Sequence, residues 1–460
     1  MLTARDRLLA ALFAFQLTVA AVLGGFLVHA LGKDDRRPVA LQQVPGQPVA
    51  TSGPTAAATA APTAATQGRA GTQGSTTTTT SGAGQGAVGQ GKADTTKLAP
   101  GAPIKVGAVV SQTGAINFAS SAQATKAYFD KVNRAGGVNG HKIVLDLRDD
   151  QLDSTRGRQQ AQQLLAEGVF AFVGWNAPNT ENGITQFLEQ NKIPLIGAYG
   201  QQAEYHSPYA YAFSASYGHY GFQMGSYLAE QGVKKPGLVY IANNNPTADR
   251  DLVAAFKAGF KSKGVTLSDN DVVSVDVTKP SYDDVVTQFR LDQVDGFASL
   301  LDQTAYNRLL QSQDRQAYHP KHAADALFLD PSVTQSQSTD GVLVATDFDF
   351  IQDGGPAWDE YVSTVKAAYG ARSQINYFGQ QGWVDAAVFV AAVKAMGNDI
   401  TRANLLKVMD GLNGKGGFGY SSDLHFGPGV RDINRCIRFG KVVSGRITRT
   451  TGWRCDEQPF

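Results

Sequence analysis

From Ile104 onward, short apolar runs alternate with stretches whose apolar residues recur every three or four positions. Ile104 to Val110 is a β-branched run that predicts a strand, and Ala124, Ala127, Tyr128 and Val132 share one face of a predicted helix over 122–132. That helix stops at AGGVNG, residues 135–140, where paired glycines precede an Asn-Gly turn. Ile143 to Leu147 reads as a second strand, Ser154 as the cap of a helix reaching Glu167, and Val169–Val173 and Ile193–Ile196 as third and fourth strands. Short apolar strands separated by helices indicate a parallel sheet covered on both faces.

The alternation then repeats. A long helix over 218–231 precedes strands at 238–241, 272–277, 297–301 and 342–345. Between the first two, Leu252, Val253, Phe256 and Phe260 line one helix face. The last third reads as helices over 358–369, 382–396 and 403–412, followed by GKGGFGYSSDLHFGPG, a glycine-rich return with a short strand. The pattern therefore predicts two α/β lobes of similar build.

The N-terminal part differs. Leu8 to Leu31 carries no charge, and its length of about 24 residues exceeds the roughly 20 needed to cross a bilayer. It reads as an uncleaved anchor; Val28-His29-Ala30 keeps open a cleaved signal. Residues 38–102 are rich in Pro, Gly, Ala, Ser, Thr and Gln, lack aromatics and cannot bury enough apolar area to offset ordering. They read as a disordered linker reaching roughly 40–50 Å. Gly84, Gly86 and Gly89 spell G-x-G-x-x-G, but no strand precedes them, so they imply no dinucleotide site.

Over 460 residues the net charge is +1, which offers no electrostatic footprint for nucleic acid. There is no G-x-S-x-G, Walker loop or H-E-x-x-H, so the reading is of a protein that is not an enzyme and needs no cofactor or metal. His319-Pro320-Lys321-His322 falls in a predicted loop and is set aside as a metal site. Asp149-Asp150, neighbours at a strand end, read as a solvated turn. Cys436 and Cys455 can pair if the domain is exported, closing a loop of about 20 residues worth roughly 3 kcal/mol. Two free thiols or a metal site are the alternatives, although two cysteines without nearby histidines make a poor zinc site.

Candidate chemistry lies where strands end. In open parallel sheets ligands bind beyond the carboxyl ends of strands, where helix N-termini present N–H groups. Val173 opens into Gly174-Trp175-Asn176-Ala177-Pro178-Asn179-Thr180, a polar, uncharged turn in which Asn179 or Thr180 is positioned to cap the next helix. Comparable turns hold Ser111, Gln112 and Thr113; Tyr199 and Gln201; Tyr217 and His219; Asn244; and Asp302. These residues are the expected ligand contacts.

Several segments carry a family resemblance. IKVGAVVSQTG, KAYFDKVNRAGGVNGHKI, LRDDQLDSTRGRQQAQQLL, FAFVG and GQQGWVDAAVFVAAVKAMG, in this order, resemble the type I periplasmic binding proteins, specifically the branched-chain-amino-acid-binding group of ABC-transporter solute receptors. The resemblance implies two Rossmann-like lobes joined by three crossing segments. Lobe I would comprise residues 104–212 and 351–418, and lobe II residues 213–350 and 419–460. It also implies capture of a small solute outside the membrane, by hinge closure, for a permease and its ATPase. Amino-acid-binding members place Ser or Thr after the third and fourth strands and an acid in lobe II. Here those positions fall on Pro178 or Asn179, on Gly200-Gln201 and on Ala305, with Asp302 three residues away. The turns carry no Lys or Arg, which suits a neutral polar or aromatic-bearing ligand stacked on Trp175, Tyr199 or Tyr217. A membrane-tethered sensor or envelope protein using the same cleft is the alternative. The composition break generates a test: proteolysis of the intact protein should release a folded fragment beginning near Lys97, whereas resistance throughout 38–102 would contradict a flexible linker.

Overall fold

The computed structural model describes residues 96–114, 117–200, 203–242, 246–326 and 337–458. The predicted anchor over 8–31 and nearly all of the linker lie outside them. Among the described residues no helix is long and apolar enough to cross a membrane.

Two sheets organise the chain. The first contains β1 (Ile104–Val109), β2 (Ile143–Arg148), β3 (Ala171–Val173), β4 (Leu195–Ile196) and β5 (Ala210–Tyr211), in the order β2-β1-β3-β4-β5. All four pairings are parallel. Helices α1 (Ala119–Arg134), α2 (Ser154–Ala166) and α3 (Pro178–Asn191) link the first four strands. The second sheet contains β6 (Pro236–Ile241), β7 (Val272–Val275), β8 (Gly296–Leu300), β9 (Lys321–Asp325) and β10 (Leu343–Thr346), all parallel, in the order β10-β9-β8-β6-β7. Its helices are α4 (Tyr217–Glu230), α5 (Pro246–Lys261), α6 (Asp283–Leu291) and α7 (Gln303–Gln316). The antiparallel β11 (Cys436–Val443) extends it beyond β10 and carries β12 (Arg446–Arg449) and β13 (Arg454–Cys455).

The late helices α8 (Pro356–Tyr369), α9 (Tyr377–Met396) and α10 (Arg402–Asp410) return to the first sheet. Helix α9 is buried nearly all round, from Tyr377 to Met396, as its weak amphipathicity requires. It approaches α1 so closely that a Cβ on Gly382 would lie 2.3 Å from the Ser121 carbonyl oxygen. Thr125 Oγ1 donates to the Gly382 carbonyl at 2.9 Å across the same contact. The AGGVNG turn has a role in this packing: Asn139, at φ 48°, donates from Nδ2 to the carbonyls of Val393 (2.6 Å) and Gly397 (2.9 Å), closing the C-terminal end of α9.

The chain passes between the two cores three times. It leaves β5 for α4, leaves β10 for α8, and runs from Tyr420 and Leu424, which pack in the first core, to β11. Two isolated bridges lace these passages, Ala212 with Asp432 and Phe348 with Ser421. The Asp347 carboxylate gathers them further. It accepts the Ala215 N–H (2.7 Å) and the Tyr220 hydroxyl (2.9 Å) from the second-sheet side and the Tyr377 hydroxyl (2.8 Å) from α9. Burial pushes its pKa up to about 6 against the opposing effect of these three donors.

The structure corrects local expectations. His322 does not lie in a loop: it is a buried residue of β9, stacked on Phe297 at 4.1 Å with Nε2 2.7 Å from Ser299 Oγ, while His319 is exposed. The glycine-rich return forms a 3-10 turn over Lys415–Gly419 and isolated bridges in place of a strand. The N-cap of α2 is Asp153, whose carboxylate accepts from Thr155 and Arg156 N–H, and Ser154 is the first helical residue.

Cys436 and Cys455 form a disulfide between directly paired residues of β11 and β13. The next residue, Asp456, lies 2.8 Å from His219 Nδ1 on α4, and Asp432 lies 3.0 Å from Nε2. Burial alone would lower the His219 pKa, but hydrogen bonds and charge from Asp432 and Asp456 outweigh it and raise it to about 9. A raised histidine contributes stability that is complete below its unfolded value, about 6.5, and is lost as pH rises through about 9. The melting temperature should therefore fall between about pH 6.5 and 9, with a shallower slope in His219→Gln. Equal slopes in the two proteins would exclude this clasp as the source.

Candidate functional site

The strand order of each sheet reverses once: between β1 and β3 in the first, and between β6 and β8 in the second. Adjacent loops leave in opposite directions at such a point, which opens a crevice beyond the carboxyl ends. Five aromatic residues converge near those ends. Phe118 opens α1 after the β1 turn, Tyr199 lies in the turn after β4, and Tyr377 and Phe378 open α9. Phe118 meets Phe378 edge-on at 4.5 Å and Tyr199 at 5.7 Å, and Tyr199 stacks on Phe378 at 6.4 Å. Tyr217, the first residue of α4, completes the group from the other side: its hydroxyl shares a 3.2 Å hydrogen bond with that of Tyr199. Tyr217 packs against both the first core and that beneath α4, and Ala326, just past β9, likewise packs against the cores of both sheets. This is where the carboxyl ends of the two sheets meet.

The turn after β4 is supported from below by α9. Gln381 Nε2 donates to the carbonyls of Ala198 (3.3 Å) and Tyr199 (3.1 Å) and to Ser214 Oγ (3.1 Å). Gly197, at φ 80°, has no room for a side chain, because a Cβ there would lie 2.1 Å from Asp385 Cγ. Glu204 accepts the Gly200 N–H at 2.8 Å.

Ser111, Gln112, Thr113, Asn179 and Thr180 form a separate network around the end of β2. Asp150 is fully buried and accepts from Ser111 Oγ (2.6 Å), Thr180 Oγ1 (3.0 Å) and the Leu152 N–H (3.1 Å). Asp149 accepts from the N–H groups of Gln112 (2.9 Å) and Thr113 (3.4 Å) and from Thr113 Oγ1 (2.6 Å). These donors hold the Asp149 pKa below the usual carboxylate value, although burial opposes them. The solvated turn expected for Asp149-Asp150 is therefore corrected to a clamp that fixes the β1 and β3 turns. Neither Asn179 nor Thr180 caps α3. The cap position is Ala177, Asn179 Nδ2 donates to the Leu152 carbonyl at 2.7 Å, and Thr180 is committed to Asp150.

Trp175 is fully buried, edge-on to Phe172 at 5.3 Å, and its Nε1 has no hydrogen-bond partner. Asn176 is buried too. Its N–H reaches the Val109 carbonyl and its Nδ2 reaches Ser121 Oγ at 2.8 Å, while Oδ1 has no partner. His219 is held by its two aspartates, and Asp302 caps α7 through the N–H groups of Thr304 (2.7 Å) and Ala305 (3.1 Å). Gln201 and Asn244 lie outside the described residues. Of the expected contacts in the described residues, Tyr199 and Tyr217 are brought together at the crevice. Phe118, Tyr377 and Phe378 join them without having been singled out by the turn argument, which read only the few residues directly after each strand and at the start of α4; Tyr377-Phe378 also lies before the predicted start of its helix.

Two mainly parallel α/β sheets joined by three chain passages, whose carboxyl ends meet at Tyr199 and Tyr217, define a two-lobed architecture. A family model described as periplasmic binding protein matches residues 103–446, and the chain belongs to this family, of type I. Solved structures share the fold. A branched chain amino acid ABC transporter protein from Thermus thermophilus with bound valine matches at a TM-score of 0.70 and 16% identity, over 78% of this chain and 98% of that one. A fatty acid ABC transporter substrate-binding protein from Thermomonospora curvata matches at 0.66 and 18% identity, over 80% and 95%. A solute-binding protein from R. palustris in complex with benzoate matches at 0.66 and 15% identity, over 77% and 98%. No curated protein matches the sequence.

Burial assigns Trp175 to stability. Trp175→Ala should cost about 3–5 kcal/mol, read as a large fall in melting temperature. Near-native stability in that variant would show that the ring is not a packing element.

Proposed function

We propose that this chain is the extracytoplasmic solute-binding receptor of an ABC-type transporter. It takes a small polar ligand, an amino acid, amide or small aromatic compound, between lobes that close about the three passages. The observation that carries this reading is the meeting of Tyr199 and Tyr217, one from each lobe, over the Phe118–Phe378 pair. Their hydroxyl contact at 3.2 Å is weak enough to exchange for contacts to a ligand, and rings on either side of it suit an apolar or aromatic moiety. The valine and benzoate held by two proteins of the same fold are small molecules of this size class. Capture would stabilise the closed form in proportion to the ligand's greater affinity for it. The lobes are taken as residues 104–212 with 351–418 and 213–350 with 419–460. The apolar segment over 8–31 would tether the receptor to the membrane, with the linker giving it reach to a permease. The reading assigns no catalytic step.

Thermal-shift and calorimetric screening of L-valine, benzoate, benzamide and glucose against the intact protein tests this. At least one of the first three should raise the melting temperature, and Tyr199→Ala should weaken its binding about tenfold or more, a loss near 1.4 kcal/mol. Binding of glucose alone, or affinity indifferent to Tyr199, would overturn the assignment.

A further inference from the structure

The least explained group outside the aromatic crevice is Asp385. It lies on α9, four residues after Gln381 and therefore on the same helix face. Its side chain is fully buried, and neither carboxylate oxygen has a hydrogen-bond partner. Gln381 Oε1 is likewise buried without a partner, and the three acceptors contacted by its Nε2 fix the amide's orientation. Three buried acceptor oxygens therefore lie one helical turn apart on α9 with no donor bonded to them. The carboxyl group presses directly on Gly197, where an added Cβ would lie 2.1 Å from its Cγ.

An ionised carboxylate in such a place has lost its hydration and gained nothing in return, a cost of several kcal/mol. A protonated one is neutral. Burial raises the Asp385 pKa well above the usual carboxyl value, and the charge of Glu204, on the far side of the same turn, raises it further. Burial and Glu204 alone act on it, and no basic group offsets them.

We propose that Asp385 is a positioning residue for the ligand crevice: it is protonated in the folded protein, forms the floor on which the Gly197–Gly200 turn and its Tyr199 rest, and on losing its proton displaces that turn and weakens capture. This rests on the receptor reading given above, although its first consequence does not. A buried acid kept neutral destabilises the fold progressively as pH rises above the unfolded value near 4, because the unfolded chain releases the proton at a lower pH than the folded chain does. Natural proteins retain such a cost where function requires it.

The test compares intact wild type with Asp385→Asn and Asp385→Ser, both uncharged. The melting-temperature advantage of Asp385→Asn over wild type should be about 3 °C or more greater at pH 8 than at pH 4.5. A difference independent of pH, or failure of both neutral variants to fold, overturns the proposal. In calorimetry with L-valine and benzoate, whichever probe binds wild type should bind about fivefold or more weakly at pH 8.5 than at pH 5.5, and Asp385→Asn should remove that dependence. Equal wild-type affinity at the two pH values, or the same pH dependence in the variant, overturns the positioning role. If neither probe binds at any pH, the receptor reading loses its support, while the stability comparison still decides whether Asp385 is protonated.

Discussion

The architecture turns on one buried carboxylate. Asp347 follows β10 at the point where the chain leaves the second sheet, and its two oxygens take a backbone N–H from the first passage, a hydroxyl from α4 and a hydroxyl from α9. A buried charge is tolerated only when it is surrounded by donors. Two of those donors, Ala215 and Tyr220, lie more than a hundred residues before Asp347, and the third, Tyr377, lies thirty residues after it. Satisfying one side chain therefore fixes where the two sheets stand relative to one another. Removing any donor would leave the carboxylate under-satisfied.

Helix α9 transmits that arrangement to the crevice. Its first residues supply Tyr377 to Asp347 and Phe378 to the aromatic group. One turn later Gln381 holds the β4 turn, Gly382 admits α1, and Asp385 supports Gly197. Its far end is closed by Asn139. A helix buried on nearly every side has few degrees of freedom, so the Tyr199 turn inherits its position from the passages through a short chain of contacts.

Much of the fold was legible because it rests on period. The first three strands, the paired helices and the long helix after β5 all announce themselves by apolar spacing, and their carboxyl ends locate the crevice by topology alone. Strand β9 was not legible: Lys321-His322-Ala323-Ala324-Asp325 has neither alternation nor β-branched residues, and it is a strand because β8 and β10 pair with it. The C-terminal β11 hid for a similar reason, since Arg438, Gly440 and Lys441 interrupt its apolar run. At the site, the turns after β1 and β3 were correctly located, but the roles of their side chains were not readable. Ser111, Thr113 and Thr180 look like ligand donors until Asp149 and Asp150 are brought against them.

By itself, the sequence determined the two-lobed α/β plan, the end of each sheet at which a ligand can sit and the residues available for a disulfide, because hydrophobic period and turn chemistry act over short distances. Tertiary structure alone decided which of those residues come together and which are committed to other partners. Burial of Trp175, pairing of His219 with Asp432 and Asp456, and the convergence of Phe118, Tyr199, Tyr217 and Phe378 each depend on partners distant in the chain. A side chain's role is set by what packing brings against it, and no local pattern encodes that.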